Sequence, residues 1–327
     1  MSPISRSAPI DPAAASSSDF VPITLSVPYY SGFSLFRHTL RSIAAQTYPD
    51  CRVLVCDDSP TGLSSAELAE MAALVGVAYP LRVVRNEQNL GMARTWNRCL
   101  DEADTDLVAI VHNDDELTED YAQAMVALAS EHPDATAVFS GASIIGAAGE
   151  AKFSFPDLYK QVLIPRHQRA LELTGDVGLH SLMRGNYIFC PALCYRRSLL
   201  GTMRFDPRYR MVLDVDLTTR VLLAGQTLVG IPKRPLYRYR RHEDNATEHL
   251  TKELTRFNEE SAFYLDVARR AAQAGYTRAA RTATRRTVIK LNLMFCIARD
   301  LRAGEWADCR KKLRLLRELA SPVHGTL

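Results

Sequence analysis

The chain has 327 residues, of which 47% are hydrophobic and 24% are charged, so it can bury the core of one or two globular domains. Its net charge of +3 gives no electrostatic reason to expect a nucleic-acid partner. Seven cysteines without a CxxC pair argue against a disulfide framework and favour a reducing, cytoplasmic location. The longest apolar runs are too short for a membrane-spanning helix, which needs about 18 apolar residues.

Residues 1–20 are rich in Ala, Ser and Pro and lack the basic start and apolar stretch of a secretion signal, so we expect a disordered tail. After this tail, short β-branched runs alternate with longer amphipathic segments. The alternation predicts an α/β fold with a mainly parallel, Rossmann-like sheet flanked by helices. The predicted strands are residues 23–27, 51–56, 81–84, 107–111 and 135–140, and the predicted helices are residues 33–46, 64–75, 91–103 and 119–132.

Polar segments follow the first four predicted strands, at residues 28–32, 57–60, 86–91 and 112–116. The carboxyl ends of parallel strands meet at one edge of a sheet, so these segments should line one crevice. Two of them contain adjacent carboxylates, Asp57 with Asp58 and Asp114 with Asp115. Like charges at such spacing repel, and the pattern therefore predicts a site for a cation or for hydrogen-bond donors.

Three segments, residues 23–60, 89–121 and 205–242, resemble the family 2 glycosyltransferases with the A-type nucleotide-sugar-binding fold. The resemblance runs from about Val21 to Asn245. It implies an inverting, divalent-metal-dependent transfer of a sugar to an acceptor hydroxyl, in polysaccharide, glycolipid or glycoconjugate biosynthesis. A carboxylate only accepts hydrogen bonds, so an aspartate that reads the base would suit the imide N–H of a UDP-, dTDP- or GDP-linked donor.

The same resemblance implies a site for Mn²⁺ or Mg²⁺ in which Asp114 binds the metal, Asp115 is the next candidate and His242 is the third. Such a cation would offset the charge of the departing diphosphate. His112 stands where the family more often has an acid, and imidazole suits Mn²⁺ better than Mg²⁺. The alternative is that Asp115 and Glu116 only add negative charge to the N-terminus of the next helix.

The resemblance also implies a set of donor-binding residues. Asp58 contacts the base, residues 28–30 form the opposite wall of the base pocket, the loop at Gly91 faces phosphate at a helix N-terminus, and Arg240 contacts phosphate. The alternatives are a plain turn at residues 57–60 and an exposed basic loop around Arg240. The full set is Pro28, Tyr30, Asp57, Asp58, Asn89, Gly91, Asn97, Asn113 and Arg240.

Proton removal from the acceptor requires a general base, and the resemblance assigns this role to Asp214. Leu213 stands where the family usually has Glu. The alternative is that Asp214 caps a helix while Asp216 pairs with Arg220 four residues later.

The expected organisation is a catalytic domain at residues 21–245, with a nucleotide-sugar half (21–145) and an acceptor half (146–245), followed by a C-terminal helical extension at residues 246–327. The basic helices of that extension either pack on the catalytic domain or contact the anionic inner face of a membrane, as a peripheral protein that reaches a lipid-linked acceptor would do. Two other functions remain open: a nucleotidyltransferase, although residues 28–32 lack the Gly-rich basic loop expected for a triphosphate, and a catalytically silent nucleotide-sugar-binding module.

Overall fold

A nine-stranded sheet with helices packed against it organises the computed structural model, which describes residues 20–152, 161–166, 169–241 and 254–320. The predicted tail (residues 1–19) and His242 lie outside the described residues. The first part of the chain alternates strands and helices in the order β1 (Ile23–Tyr29), α1 (Phe33–Ala44), β2 (Cys51–Asp57), α2 (Ser65–Leu74), β3 (Leu81–Arg85), α3 (Met92–Glu102), β4 (Leu107–Ile110), β5 (Glu116–Leu117), α4 (Tyr121–Glu131) and β6 (Ala135–Ile145).

The second part adds shorter elements and then a run of helices. After β6 come β7 (Leu171–Leu173), α5 (Gly175–Met183), a 3-10 helix (Cys190–Ala192), β8 (Leu193–Arg196), α6 (Arg197–Leu200), α7 (Leu213–Leu223) and β9 (Thr227–Arg240). The C-terminal helices are α8 (Thr255–Gln273), α9 (Thr277–Arg285), α10 (Thr287–Ala303) and α11 (Trp306–Ala320).

The sheet is mixed, with mostly parallel strands flanked by helices, which confirms the predicted fold class; β5 and β7 are antiparallel to β9. The strand order is β3-β2-β1-β4-β8-β6-β9-β5, and β7 also pairs with β9. Strands β1 to β4 pair in parallel, as do β6 and β9, whereas β8 is antiparallel to both β4 and β6. Residues on both faces of β1 are buried, as expected for a strand covered by helices on two sides. The ends of β1, β2 and β4 therefore meet at one edge.

Strand β9 departs most from the sequence prediction, because it was not recognised as a strand. Its pairing with β6 shifts register where Ser140 faces Ile231 and Gly141 already faces Pro235, so three residues of β9 bulge out. A Cβ at Gly141 would lie 2.3 Å from the carbonyl oxygen of Pro232, so this close approach needs glycine. Prolines in β9 obscured the strand pattern, since proline cannot donate to a sheet ladder.

The C-terminal helices share a core with the sheet. Phe257 and Val267 of α8 and Leu293 of α10 belong to the same buried apolar cluster as Leu54 of β2 and Leu213 of α7. The predicted boundary at residue 246 thus separates segments whose side chains pack together, and the domain division stays a prediction. Among the described residues, no helix is both long and apolar enough to cross a bilayer.

Candidate active site

Residues 112–116, which we call the acidic loop, follow β4 and contain a fully buried carboxylate. Asp115 is 0% exposed; its Oδ1 accepts from the backbone N–H of Arg240 (2.7 Å) and its Oδ2 from the hydroxyl of Tyr237 (2.8 Å). Its backbone carbonyl accepts from the hydroxyl of Thr39 (2.7 Å). Burial, and then the charge of Asp114, raise the pKa of Asp115 well above its usual range, against the effect of these donors. Asp115 thus anchors the acidic loop to β9 and α1.

Three side chains of the acidic loop converge on one point. His112, Asp114 and Asp115 each offer a ligand atom within 4.8 Å of the others, and His112 and Asp114 are only half-buried. The imidazole of His112 stacks on Trp96, with ring centroids 5.2 Å apart. Burial lowers the pKa of His112, opposed by the charge of Asp114, so the ring is neutral at pH 7 and keeps a lone pair for a ligand.

This donor set fits a divalent cation. Each oxygen of Asp115 has two lone pairs and accepts one of the two hydrogen bonds described, so the carboxylate can still contribute a ligand. Asp114 is the more exposed of the two carboxylates. One imidazole with two carboxylates is a mixed set that Mn²⁺ accepts more readily than Mg²⁺ does. His112 departs from the family pattern, and its place in the acidic loop agrees with the predicted preference of an imidazole for Mn²⁺.

Arg240 lies beneath the acidic loop. Its side chain is 1% exposed, Nε donates to the carbonyl of Asp114 (2.8 Å), and Nη1 donates to the carbonyls of Gly146 (3.1 Å) and Ala147 (2.9 Å). Nη2 pairs with the carboxylate of Glu116. A phosphate contact, as predicted from the sequence, would require these contacts to break. The structure gives Arg240 another task, which is to hold the acidic loop against the chain after β6.

Asp58, predicted to read the base, accepts four hydrogen bonds. Oδ1 accepts from the Asn86 amide (2.6 Å) and the Leu90 N–H (2.7 Å), and Oδ2 accepts from the Asn89 amide (3.2 Å) and the Gly91 N–H (3.0 Å). A carboxylate has about four lone-pair sites, so these donors occupy its accepting capacity. Asp58 therefore ties the end of β2 to the loop before α3, and base recognition would have to compete with these contacts.

Asp57 shapes a turn, as the alternative interpretation of this segment predicted. Its Oδ1 accepts from the N–H (3.0 Å) and hydroxyl (2.5 Å) of Ser59, and its Oδ2 accepts from the N–H of Leu63 (2.9 Å). Gly91 is the N-cap of α3 with φ of 77°, a left-handed value that favours glycine. Its N–H donates to Asp58, so the negative group next to this helix start is a side chain of the protein itself.

The remaining predicted donor residues have different surroundings. The side-chain amide of Asn97 donates to the carbonyl of Phe205 (2.9 Å) and accepts from its N–H (2.7 Å). The amide of Asn113 donates to the carbonyl of Ser31 (2.7 Å), which joins the acidic loop to the segment after β1. Tyr30 is 54% exposed at the end of β1 and is available to a ligand. Pro28 lies within β1, opposite Cys56 of β2, and is half-buried.

Asp214, the candidate base, lies in the first turn of α7 and is half-buried. The N-cap of this helix is Val212, whose own side chain forms no capping hydrogen bond, so Asp214 is not the cap. The Asn186 amide donates to Asp214 Oδ2 at 3.4 Å. Asp216 is buried and pairs with Arg220 (2.8 Å), as the alternative interpretation predicted.

Cys190 lies near both Asp214 and Asp115 of the acidic loop. Burial raises the pKa of this thiol well above its usual range, and the negative charges of Asp214 and then Asp115 raise it further. The thiol therefore lies within electrostatic reach of both carboxylates. Asp214, about 100 residues after the acidic loop in the chain, thus lies near the same thiol as Asp115.

Comparison with known proteins identifies the family. The family model described as glycosyl transferase family 2 matches residues 24–186, about half of the chain. The chain belongs to glycosyl transferase family 2. The succinoglycan biosynthesis protein ExoW of Rhizobium meliloti is 29% identical to this chain over 221 residues. An uncharacterized protein of Mycobacterium tuberculosis is 35% identical over 95 residues. The alignments cover 63% and 29% of this chain, and 65% and 28% of the relatives' own lengths.

Solved structures show the same fold. S. aureus TarS in complex with UDP-GlcNAc matches with a TM-score of 0.56 at 15% identity, over 91% of this family 2 chain and 92% of that chain. The mannosyltransferase PcManGT from Pyrobaculum calidifontis in complex with GDP-Man and Mn²⁺ matches with a TM-score of 0.56 at 18% identity, over 93% and 90% of the two chains. These likenesses establish the glycosyltransferase A-type architecture, including helices after the sheet.

Proposed function

We propose that this chain transfers a sugar from a nucleotide-sugar donor to an acceptor hydroxyl, with a divalent cation held at Asp114. The observation that supports the proposal best is the convergence of His112, Asp114 and Asp115 after β4 in a chain of glycosyl transferase family 2. A cation site beside a second, separate carboxylate supplies the two functions that glycosyl transfer needs, which are stabilisation of the leaving diphosphate and removal of the acceptor proton.

The proposed donor is a UDP-, dTDP- or GDP-linked sugar. One structural neighbour was solved with UDP-GlcNAc and another with GDP-Man, which supports a donor of this class. Tyr30 is exposed at the end of β1 and is suited to stack on the base. In this proposal Asp58 supports the donor-binding loop before α3, because it accepts hydrogen bonds from the backbone N–H groups of Leu90 and Gly91.

The proposed mechanism is a direct displacement that inverts the anomeric centre. Asp214 accepts the proton of the acceptor hydroxyl as that oxygen attacks the sugar. The amide of Asn186 donates to Oδ2 of Asp214, and this contact orients the carboxylate. When bound, the divalent cation would offset the negative charge that develops on the diphosphate. Arg240 and Tyr237 keep the acidic loop in position during this step.

The test is donor turnover by wild-type protein and two variants. We expect Asp114→Ala to lose both Mn²⁺-dependent nucleotide binding and turnover. We expect Asp214→Asn to bind the nucleotide normally and to turn over at least about 100-fold more slowly, as loss of a general base predicts. Asp104→Asn is the matched control, because this carboxylate is exposed and its ion-pair partner within the described part of the chain is Arg52. Normal turnover in Asp214→Asn would contradict the assigned base, and pyrophosphate release from a nucleoside triphosphate would favour a nucleotidyltransferase.

We also propose that the C-terminal helices contact an anionic membrane surface and so bring the enzyme to a lipid-linked acceptor. Helices α10 and α11 expose large apolar side chains, namely Leu291, Met294, Phe295 and Trp306. The spacing of the first three places them on one face of α10. Exposed cations accompany them, namely Arg299, Arg302, Arg310 and Arg314. An apolar face bordered by arginines complements a layer of anionic headgroups over acyl chains.

Vesicle flotation tests this surface in the full chain. We expect binding to vesicles that contain phosphatidylglycerol and weaker binding to pure phosphatidylcholine. Replacing Arg310 and Arg314 with Glu removes about 2 kcal/mol of attraction, which is about 30-fold in affinity. Val77→Ser is the control, since Val77 is 87% exposed outside these helices. Equal flotation of all variants would reject the proposal. Light scattering tests the alternative that a second copy of the chain covers the apolar face. A dimer that is lost in the Met294→Ser/Phe295→Ser variant would support that alternative.

A further inference from the structure

A carboxylate from the C-terminal helices binds the backbone just before the helix that carries the candidate base. The Glu259 carboxylate of α8 accepts from three consecutive N–H groups. The N–H of Arg210 lies 3.0 Å from both oxygens, and those of Met211 and Val212 lie 2.6 Å and 3.0 Å from Oε1. These residues immediately precede α7, whose second residue is Asp214.

The Glu259 carboxylate takes the place of the acidic residue of a capping box, which accepts from the N-cap N–H, here that of Val212. A helix start usually gains an acceptor from a Ser, Thr, Asp or Asn at the N-cap, but the N-cap of α7 is Val212, whose own side chain forms no capping hydrogen bond. A carboxylate at this end is also favoured by the helix dipole and forms charge-assisted hydrogen bonds with the N–H groups. Glu259 therefore determines how the chain enters the first turn of α7.

A second contact from the same helix holds the other side of that turn. Asp216 is buried, pairs with Arg220 of α7 at 2.8 Å and lies 3.7 Å from Nη1 of Arg270 on α8. Glu259 thus contacts the chain up to two residues before Asp214, and Arg270 contacts it two residues after. Helix α8 also buries Phe257 and Val267 in the core shared with Leu213 of α7. The backbone around Asp214 is fixed from outside α7 on both sides.

We propose that Glu259 is a positioning residue for glycosyl transfer, which orients the Asp214 carboxylate toward the acceptor by fixing the backbone at Arg210 to Val212. The inference rests on the proposed function, because it takes Asp214 as the base. It gives the C-terminal helices a part in catalysis that is independent of any membrane contact. A base displaced by about 1 Å can lose on the order of 100-fold in rate, so loss of this anchor should appear in turnover.

The experiment compares Glu259→Ala and Glu259→Gln with Glu260→Ala in the full chain. Glu260 is the matched control, because it neighbours Glu259 on α8 and pairs with Arg256 of the same helix (2.8 Å). We expect Glu259→Ala to lower kcat by about 10- to 100-fold with the donor KM within about 2-fold of wild type. Glu259→Gln keeps one acceptor oxygen and should fall between, which also covers the case in which the alanine variant folds poorly. Glu260→Ala should match wild type.

Amide hydrogen exchange supplies a readout that does not need activity. We expect the amides of Arg210, Met211 and Val212 to exchange at least about 10-fold faster in Glu259→Gln than in wild type, and unchanged in Glu260→Ala. A wild-type kcat in Glu259→Ala, or a rise in donor KM that matches the loss in kcat, would overturn the inference. So would unchanged exchange at these amides. If wild type itself shows no transfer, the proposed function fails, and exchange still reports on the anchor.

Discussion

Replacing Asp58 with Asn separates two roles for this carboxylate, recognition of the base and support of the loop before α3. An amide has one oxygen, so it can keep the two shorter hydrogen bonds, from Asn86 (2.6 Å) and the Leu90 N–H (2.7 Å). Its NH₂ group would then face the donors of Asn89 and Gly91. Two hydrogen bonds to a charged acceptor are lost, and a backbone N–H loses its partner.

The size of the effect follows from these contacts. A hydrogen bond to a charged group contributes roughly 1.5–3 kcal/mol, and the half-buried Asn89 side chain can recover part of its share from water. We therefore expect Asp58→Asn to lower the free energy of unfolding by roughly 2–4 kcal/mol. At about 1.5 °C per kcal/mol for a chain of 327 residues, the Tm should fall by about 3–6 °C.

Thermal unfolding and nucleotide titration of the same variant check this expectation. We expect a clear fall in Tm, with any loss of nucleotide affinity accompanying it. The control, Asp104→Asn, removes an exposed carboxylate whose pair with Arg52 contributes less than about 1 kcal/mol. A Tm within about 1 °C of wild type together with a large loss of nucleotide affinity would refute the reasoning, and would show that Asp58 serves the base rather than the loop.

Three further expectations concern charge, thiols and packing. Arg270→Ala should lower the free energy of unfolding by only roughly 1–2 kcal/mol at pH 7–8, because Asp216 keeps Arg220 as a partner. Burial raises the pKa of Asp216, so this carboxyl takes up a proton more readily in the folded state than in the unfolded state. The loss of unfolding free energy, measured with urea, should therefore shrink as the pH falls toward 4. Burial raises the pKa of Cys51 and Cys194 to about 12, so DTNB at pH 8 should leave both unreacted in native protein, whereas guanidinium should release all seven thiols; rapid native reaction would contradict their burial. Gly141→Ala places a Cβ 2.3 Å from a carbonyl oxygen of β9 and should lower the Tm by several degrees, and an unchanged Tm would show that the bulge in β9 adjusts freely.

The sequence predicted the elements whose patterns are local. Strands β1 to β4 are short apolar runs between amphipathic helices, and their ends carry the polar segments that the structure brings to one edge. Strands β8 and β9 escaped prediction because neither is a continuous apolar run between amphipathic helices, in contrast to β1, whose partner β4 is equally remote in sequence. Strand β8 pairs with Leu107–Ala109 of β4 from about 90 residues away, and the bulge in β9 includes Pro232. Such pairing depends on the assembled sheet rather than on local composition.

The candidate site shows the same division. The acids of residues 112–116 could be recognised because carboxylates crowded after a buried strand need a partner. The role of each carboxylate could not be predicted, because it depends on which hydrogen-bond donors lie close to it after folding. Asp115 meets Tyr237, and Asp58 meets the loop before α3. Glu259 carried no sequence signal at all, because its partners are backbone N–H groups 47 to 49 residues earlier.

The central claim is that the acidic loop holds a divalent cation for a nucleotide diphosphate while Asp214 acts only on the acceptor. Electron paramagnetic resonance of Mn²⁺ titrated into the protein, with UDP, dTDP or GDP present, tests it most directly. We expect bound Mn²⁺ in wild type and in Asp214→Asn, and at least about 100-fold weaker binding in Asp114→Asn. Mn²⁺ binding in Asp114→Asn that equals wild type, with each of the three nucleotides, would contradict it.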